Sequence, residues 1–366
     1  MNFLDYASTC PVVKYPQLLY TKLYCDTAGR ECFFNPNANY AYKEKRLLAE
    51  AENRVKKAIG ARGGKVVFGG TSSQLIENLM HVNHDCQVWC SPWEHDSFFR
   101  YADVNNIVSD LDELESWLKT ALPSEIDDFY VSRPVVMWQA VQNITGEIFP
   151  VKQIGELVHK YNGFYICDGT AQLGHTPIEP NIDDWCDFWC CSGHKAGTEL
   201  GIGCCWISDR LDKWLNGFKL HGTPNLAGAL ALVQAVEDAC IGKNIQKHNK
   251  LWDKLSDKLE SLLNKNNIKH TFVPFVLNEW TTAINAIRLS GFNADALQQY
   301  LASKQIYVSI GGSACAEKHD YRVLNAYGLS NDEASEVIRV SFGEDSSVED
   351  VEALVEGIKN FKELYL

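Results

Sequence analysis

The sequence predicts an α/β protein with a large domain on a mostly parallel sheet covered by helices, followed by a smaller α+β domain. Three observations lead there. From Lys65 to Ile207, short apolar runs alternate with helix-like stretches, the order that builds parallel sheets with helices on their faces. After Pro224 the pattern turns to long periodic helices and then to shorter strands and helices. The chain also has 366 residues, more than one hydrophobic core usually serves.

Lys43 to Ile59 reads as an amphipathic surface helix, because Leu47, Leu48, Ala51, Val55 and Ile59 fall on one stripe with charges opposite. Lys65 to Phe68 is a β-branched run broken by Gly69 and Gly70. Ser72 and Ser73 then stand where a helix through Met80 begins, so the unit is strand, turn, helix. Strands are expected at Gln87 to Cys90, Val135 to Val141, Phe164 to Cys167, Phe188 to Cys191 and Ile202 to Ile207, with helices at Leu111 to Leu122 and Val151 to Tyr161. Asn225 to Ala239 and His248 to Asn264 are long helices, the second with Leu251, Leu255, Leu259 and Leu262 on its inner face. Strands at Ala283 to Leu289, Ile306 to Ser309 and Val337 to Phe342, and a helix from Val348 to Phe361, complete the chain. The expected division is a large domain over residues 12–245 and a small one over 246–366 together with 1–11.

Thirty-four Lys and Arg against 47 Asp and Glu leave a formal charge of −13, which repels phosphate backbones and anionic lipid heads. Direct nucleic-acid or membrane-surface binding is not expected. No apolar run is long enough to span a bilayer, and the start Met1-Asn2-Phe3-Leu4-Asp5 lacks the basic and apolar segments of a signal peptide, so the chain reads as cytoplasmic. Most of its 13 cysteines should then be thiols. Cys186, Cys190, Cys191, Cys204 and Cys205 stand in aromatic or apolar runs and read as buried small hydrophobes. Cys186, Cys190, Cys191 and His194 make a poor zinc set, because strand spacing splays them onto opposite faces, and no metal is expected.

The chemistry concentrates in Asp168-Gly169-Thr170-Ala171-Gln172 and, about twenty residues on, Ser192-Gly193-His194-Lys195. Asp168 ends a buried strand, where ligands bind in open α/β sheets, and a carboxylate there can hold a heterocyclic cation. Lys195 follows another buried strand between small residues that let a bulky group approach, and a desolvated lysine is a Schiff-base nucleophile. With the helix start at Ser72 as a phosphate cup, these residues suggest pyridoxal phosphate.

Leu4 to Pro11, Glu94-His95, Asn143-Ile144-Thr145-Gly146, Asp168 to Gln172, Ser192 to Lys195 and Gly222-Thr223-Pro224-Asn225 resemble, in order, the landmarks of the class V, fold-type I pyridoxal-phosphate enzymes. Gly312-Ser313-Ala314-Cys315, then Val323-Leu324, Gly328-Leu329 and Ile338 to Gly343, resemble the cysteine desulfurases whose nucleophile sits in a Gly-Ser-Ala-Cys loop. This resemblance implies a cofactor on Lys195, its ring nitrogen on Asp168, and a phosphate cup of Ser72, Ser73, Ser192 and His194. It implies His95 stacked on the ring, Asn143 and Gln172 near the ring hydroxyl, and Arg339 with Asn143 on the substrate. Thr223 is implied to reach the neighbouring subunit's phosphate in a homodimer, and Cys315 to accept sulfur. The implied reaction takes L-cysteine to L-alanine and leaves a persulfide on Cys315, which passes to an acceptor protein; His95 is then a candidate proton acceptor.

The sequence departs from the family at three places, marking a divergent member. Gln172 comes one residue late, Thr198-Glu199 replace the usual Gly-Pro, and the phosphate loop reads Ser73-Gln74 in place of Thr-Glu. A selenocysteine or cysteine-sulfinate lyase, an aminotransferase, and a non-catalytic scaffold are the alternative readings.

Overall fold

The computed structural model describes residues 1–11, 35–81, 86–120, 133–273, 279–312 and 320–366. Ser313, Ala314 and Cys315 lie outside the described residues. The strands, in chain order, are β1 Asn2–Phe3, β2 Lys65–Gly69, β3 Val88–Cys90, β4 Val135–Met137, β5 Phe164–Asp168, β6 Phe188–Ser192, β7 Gly203–Ile207, β8 His270–Phe272, β9 Ile284–Leu289, β10 Ile306–Tyr307, β11 Ser309–Ile310 and β12 Val337–Ser341.

The chain divides into two compact units. A sheet unit comprises Pro11–Ala140 and Pro150–Ile241; a C-terminal unit comprises Met1–Cys10, Val141–Phe149 and Gly242–Leu366. The sequence places the division a few residues later and does not anticipate that Val141–Phe149 belongs with the C-terminal unit. Contacts within that unit give the reason. Glu147 bridges Trp280, Thr281 N donates to Gly146 O at 2.9 Å, and a Cβ on Gly146, whose φ is +79°, would stand 2.6 Å from Ile284 O. Only glycine fits that turn.

In the sheet unit six strands run in the order β2-β7-β6-β5-β4-β3. The pairs β3/β4, β4/β5 and β5/β6 are parallel, and β7 is antiparallel to both its neighbours. Every residue of β5, β6 and β7 is buried, which is why these segments read as unbroken apolar runs rather than alternating ones. Leu75, Phe98, Phe164, Phe188 and Phe218 form the core on one face. Cys190 pairs with Cys205, and Cys191 with Cys204, across β6 and β7, all fully buried as expected. Burial pushes the Cys190 and Cys205 thiols above their ordinary pKa, so they pack as neutral groups.

The C-terminal unit holds an antiparallel sheet in the order β11-β12-β9-β8 and a parallel pair β1/β10. Helices Gly242–Lys265, Ala294–Ser303 and Val348–Tyr365 supply its core with Leu255, Leu259, Leu297, Leu301, Leu354 and Phe361. The first of these starts six residues before the expected His248. Its buried stripe is Trp252, Leu255, Leu259 and Leu263, with the expected Leu251 and Leu262 at the margin. Val348–Tyr365 begins with a capping box: Asp350 N donates to Ser347 Oγ, and Ser347 N donates to Asp350 Oδ2. Among the described residues no helix is long and apolar enough to cross a membrane.

Candidate active site

Asp168 is the last residue of β5 and pairs in register with Cys190 of β6, so it and the turn that follows β6 share one end of the sheet. Its Oδ1 accepts the Thr170 amide at 2.9 Å, and Oδ2 has no partner among the described residues. The chain turns at Gly169, where a Cβ would lie 2.1 Å from the Trp189 indole nitrogen. Any larger residue would push the Asp168 turn off its neighbouring strand.

Ser192 ends β6, and a 3-10 turn, Gly193–Lys195, carries His194 and Lys195. Ser192 Oγ accepts the Ser72 amide at 2.9 Å and lies 2.8 Å from Ser72 Oγ, tying this turn to the start of helix Ser72–His81. That helix start is ordered by Thr71: Thr71 N donates to Gln74 Oε1 and Gln74 N donates to Thr71 Oγ1. The Thr-x-x-Gln spacing is a capping box legible in the sequence, although the serines draw attention first. A Cβ at Gly70 would overlap Gln74 Oε1, so a larger residue there would displace the Gln74 side chain from its bond to Thr71 N. Ser72 is buried and Ser73 exposed. An open groove of about 830 Å³ passes this helix start and is lined by Gly70, Gln74, Gly201, Ile202, Thr223 and Asn225 among others. Thr223 Oγ1 accepts from Asn35 Nδ2 at 3.2 Å.

Burial, with the Lys195 charge added, lowers the His194 pKa to about 4, so the ring is neutral at neutral pH. Its Nδ1 is buried without a hydrogen-bond partner among the described residues. His95 caps helix Asp96–Phe99, its Nδ1 accepting the Ser97 amide at 3.2 Å. A backbone amide only donates, so the neutral ring carries its proton on Nε2. Beside it, buried Glu94 fixes the loop: both its oxygens accept the Gln139 amide, and Oε1 also accepts from Ser91 Oγ. Gln172 is engaged elsewhere, donating to Pro177 O of its own loop at 3.0 Å and accepting from Trp189 Nε1 of β6 at 3.4 Å. The structure therefore brings Ser72, Ser192, His194 and Lys195 together at one turn and does not bring Gln172 to them.

Arg339 and Asn143 lie in the C-terminal unit. Arg339 of β12 is buried, and its Nη1 donates to the Asn143 carbonyl at 2.9 Å, which joins the two proposed substrate residues. Its Nη2 donates to Asp5 Oδ1 at 2.9 Å and Ser309 Oγ at 3.0 Å. Sequence reasoning did not single out Asp5 or Ser309, because no local spacing connects residues 334 and 30 positions from Arg339.

Helix-covered parallel strands, with a carboxylate and a lysine at adjacent strand ends beside a serine-lined helix start, define an α/β enzyme of the pyridoxal-phosphate class. The chain belongs to the class-V aminotransferase family, whose model matches residues 35–354. It is similar to a curated cysteine desulfurase, IscS, of Shewanella pealeana, 26% identical over 98% of this chain and 91% of that one. In fold it resembles a NifS-like protein from Rickettsia africae, with a TM-score of 0.78 at 20% identity over the whole of both chains. It likewise resembles a cysteine desulfurase from Thermococcus onnurineus, with a TM-score of 0.75 at 19% identity over 99% of this chain and 95% of that one.

The cofactor of this family is pyridoxal phosphate, and the residues present fit it. His194 Nδ1, Thr170 Oγ1 and Asp168 Oδ2, none with a partner among the described residues, are polar atoms that a bound phosphate and a ring would satisfy. The helix starting at Ser72 adds the positive end of its dipole.

Proposed function

We propose that this protein is a cysteine desulfurase, converting L-cysteine to L-alanine and moving the sulfur to Cys315. The observation that carries the reading is the tie between Ser72 and Ser192, which supports a phosphate cup directly before His194 and Lys195. Similarity to cysteine desulfurases over nearly the full chain supports the choice of substrate.

Ser72, Ser73, Ser192 and His194 would hold the phosphate, Asp168 the ring nitrogen, and Lys195 the cofactor aldehyde, with His95 against the ring. Bound pyridoxal phosphate supplies the electron sink for the substrate Cα. Lys195 moves the Cα proton, and Arg339 binds the carboxylate. The Cys315 thiolate attacks the substrate sulfur. The Cβ–S bond breaks as the new S–S bond forms, and the carbon skeleton takes up a proton and leaves as alanine. No outside oxidant or reductant is needed, because the substrate carbon is reduced as the two sulfurs are oxidised to the persulfide. A free thiol titrates near about 8.5, so Cys315 needs surroundings that stabilise its thiolate. A homodimer, with Thr223 reaching the neighbouring subunit, a sulfur-acceptor protein and the reducing cytoplasm complete the reading.

The test is to supply the cofactor-loaded protein with L-cysteine and a reductant, then to assay sulfide and alanine. Equal yields of the two support the reading. Alanine from cysteine sulfinate or selenocysteine, with none from L-cysteine, replaces it with a lyase.

A further inference from the structure

Arg339 sits in the middle of β12, directly across from Ser309 of β11, and its side chain is 2% exposed. A cation so far from water needs compensation, yet a ligand for a carboxylate must keep donors free. The N-terminal segment meets both needs. Asn2 and Phe3 pair with β10, and Asp5 bridges Ser341, so the Asp5 carboxylate arrives beside the guanidinium from a separate part of the chain.

The contact is one-sided. Nη2 donates to Asp5 Oδ1 at 2.9 Å and to Ser309 Oγ at 3.0 Å, while Ser309 Oγ donates to the same Asp5 oxygen at 2.8 Å. The two acceptors sit side by side, and Asp5 reaches the guanidinium through one oxygen on one nitrogen. Asp5 therefore balances the charge with a single oxygen and does not close the planar fork that a bidentate carboxylate would fill. The Asn143 carbonyl takes one donor of Nη1. Nε–H is buried and has no partner among the described residues.

We infer that Asp5, with Ser309 as its relay, is a positioning residue that sets the plane of Arg339 and leaves the fork open for the α-carboxylate of an amino-acid substrate. This rests on Arg339 as carboxylate ligand in the proposed function. Removing Asp5 frees the guanidinium to turn, and the loss falls on recognition of the carboxylate rather than on the rest of the substrate.

The test compares ligands that differ only there. Cofactor-loaded wild type, Asp5→Ala and Asp5→Asn are titrated calorimetrically with L-alanine, which has no sulfur to transfer, and with L-alanine methyl ester, which has no carboxylate. Charge-assisted hydrogen bonds of this kind set the expected loss for Asp5→Ala at about ten- to hundredfold in L-alanine affinity. The ester should be affected by less than about twofold, since it makes no ion pair. Asp5→Asn keeps an acceptor oxygen and should recover most of the affinity. Equal loss for acid and ester, unchanged L-alanine affinity in Asp5→Ala, or a wild type that binds acid and ester alike overturns the inference. Desulfuration of L-cysteine is assayed separately: its absence with acid and ester discrimination intact counts against the desulfurase alone.

Discussion

Ser192 Oγ, at the end of β6, accepts the backbone amide of Ser72 and touches its hydroxyl 2.8 Å away, so one residue fixes both the helix start and the turn leading to Lys195. Ser192→Ala leaves the Ser72 amide buried without its acceptor. With one hydrogen bond worth about 1 kcal/mol or somewhat more, pyridoxal phosphate should bind roughly tenfold more weakly. Absorbance titration of cofactor-free protein measures this, and undiminished affinity removes Ser192 from the phosphate cup.

Lys195→Ala should lose the covalent attachment of the cofactor while the phosphate cup survives. Borohydride reduction of loaded wild type, followed by peptide mapping, should place the label on the peptide containing Lys195. A label on another lysine contradicts the assignment. Asp168→Asn should keep the cofactor and lose most turnover, because a neutral amide does not hold the ring nitrogen protonated.

The positions of Asp168 and Lys195 in the fold were legible because Asp168 ends a short buried run and Lys195 closely follows one, each beside small residues, a pattern that needs no knowledge of the rest of the chain. The strand-turn-helix from Lys65 to Met80 was readable for the same reason. What escaped depends on distant partners. The strand expected through Val141 stops at Met137 because the Gln139 amide turns to Glu94, 45 residues earlier. β1 and β8 are short and lack the apolar run that marks a strand; β1 exists because β10 offers it a partner. Asp5 and Arg339 meet across nearly the whole sequence, and neither residue alone predicts the other.

His194 makes the cofactor-free protein sensitive to acid. Burial and Lys195 lower its pKa to about 4 in the folded state, whereas an unfolded histidine titrates near 6.5. Between those values the unfolded chain binds the extra proton and the folded one does not, so stability is full above about pH 6.5 and falls on acidification toward pH 4. His194→Gln has no such proton to bind and should lose part of the acid slope. Urea midpoints measured across this range in both proteins decide it, and equal slopes would show that His194 is solvated.

A second buried charge cluster carries stability rather than chemistry. Asp187 accepts His159 Nε2 at 2.9 Å, Arg210 Nε and Nη2 at 3.0 and 2.7 Å, Ser208 Oγ at 3.0 Å and the Tyr165 amide at 3.0 Å. Burial pushes its pKa up, but the His159 and Arg210 contacts outweigh this and hold it below the ordinary carboxylate value. Asp187→Ala takes the shared carboxylate from all four partners and should cost about 3 kcal/mol or more, read as a lowered denaturant midpoint. A loss under about 1 kcal/mol would mean that water replaces the carboxylate.

Cys315 separates a desulfurase from the other enzymes this fold supports, because only the desulfurase needs a thiol of its own to take the sulfur. Cys315→Ser leaves Lys195, Asp168 and Arg339 unchanged, so L-cysteine should still bind and alter the cofactor's absorbance. Serine's hydroxyl is a poor nucleophile toward a thiol sulfur at neutral pH, and the variant should therefore form no persulfide and release little alanine. An aminotransferase, or a lyase that expels selenide or sulfinate as an already good leaving group, would barely notice the change. Wild type exposed briefly to L-cysteine should gain one sulfur on the peptide containing Cys315, detected by mass spectrometry. If that sulfur is absent and the serine variant keeps full activity, the substrate's sulfur leaves by a route that does not use Cys315, and the desulfurase assignment fails.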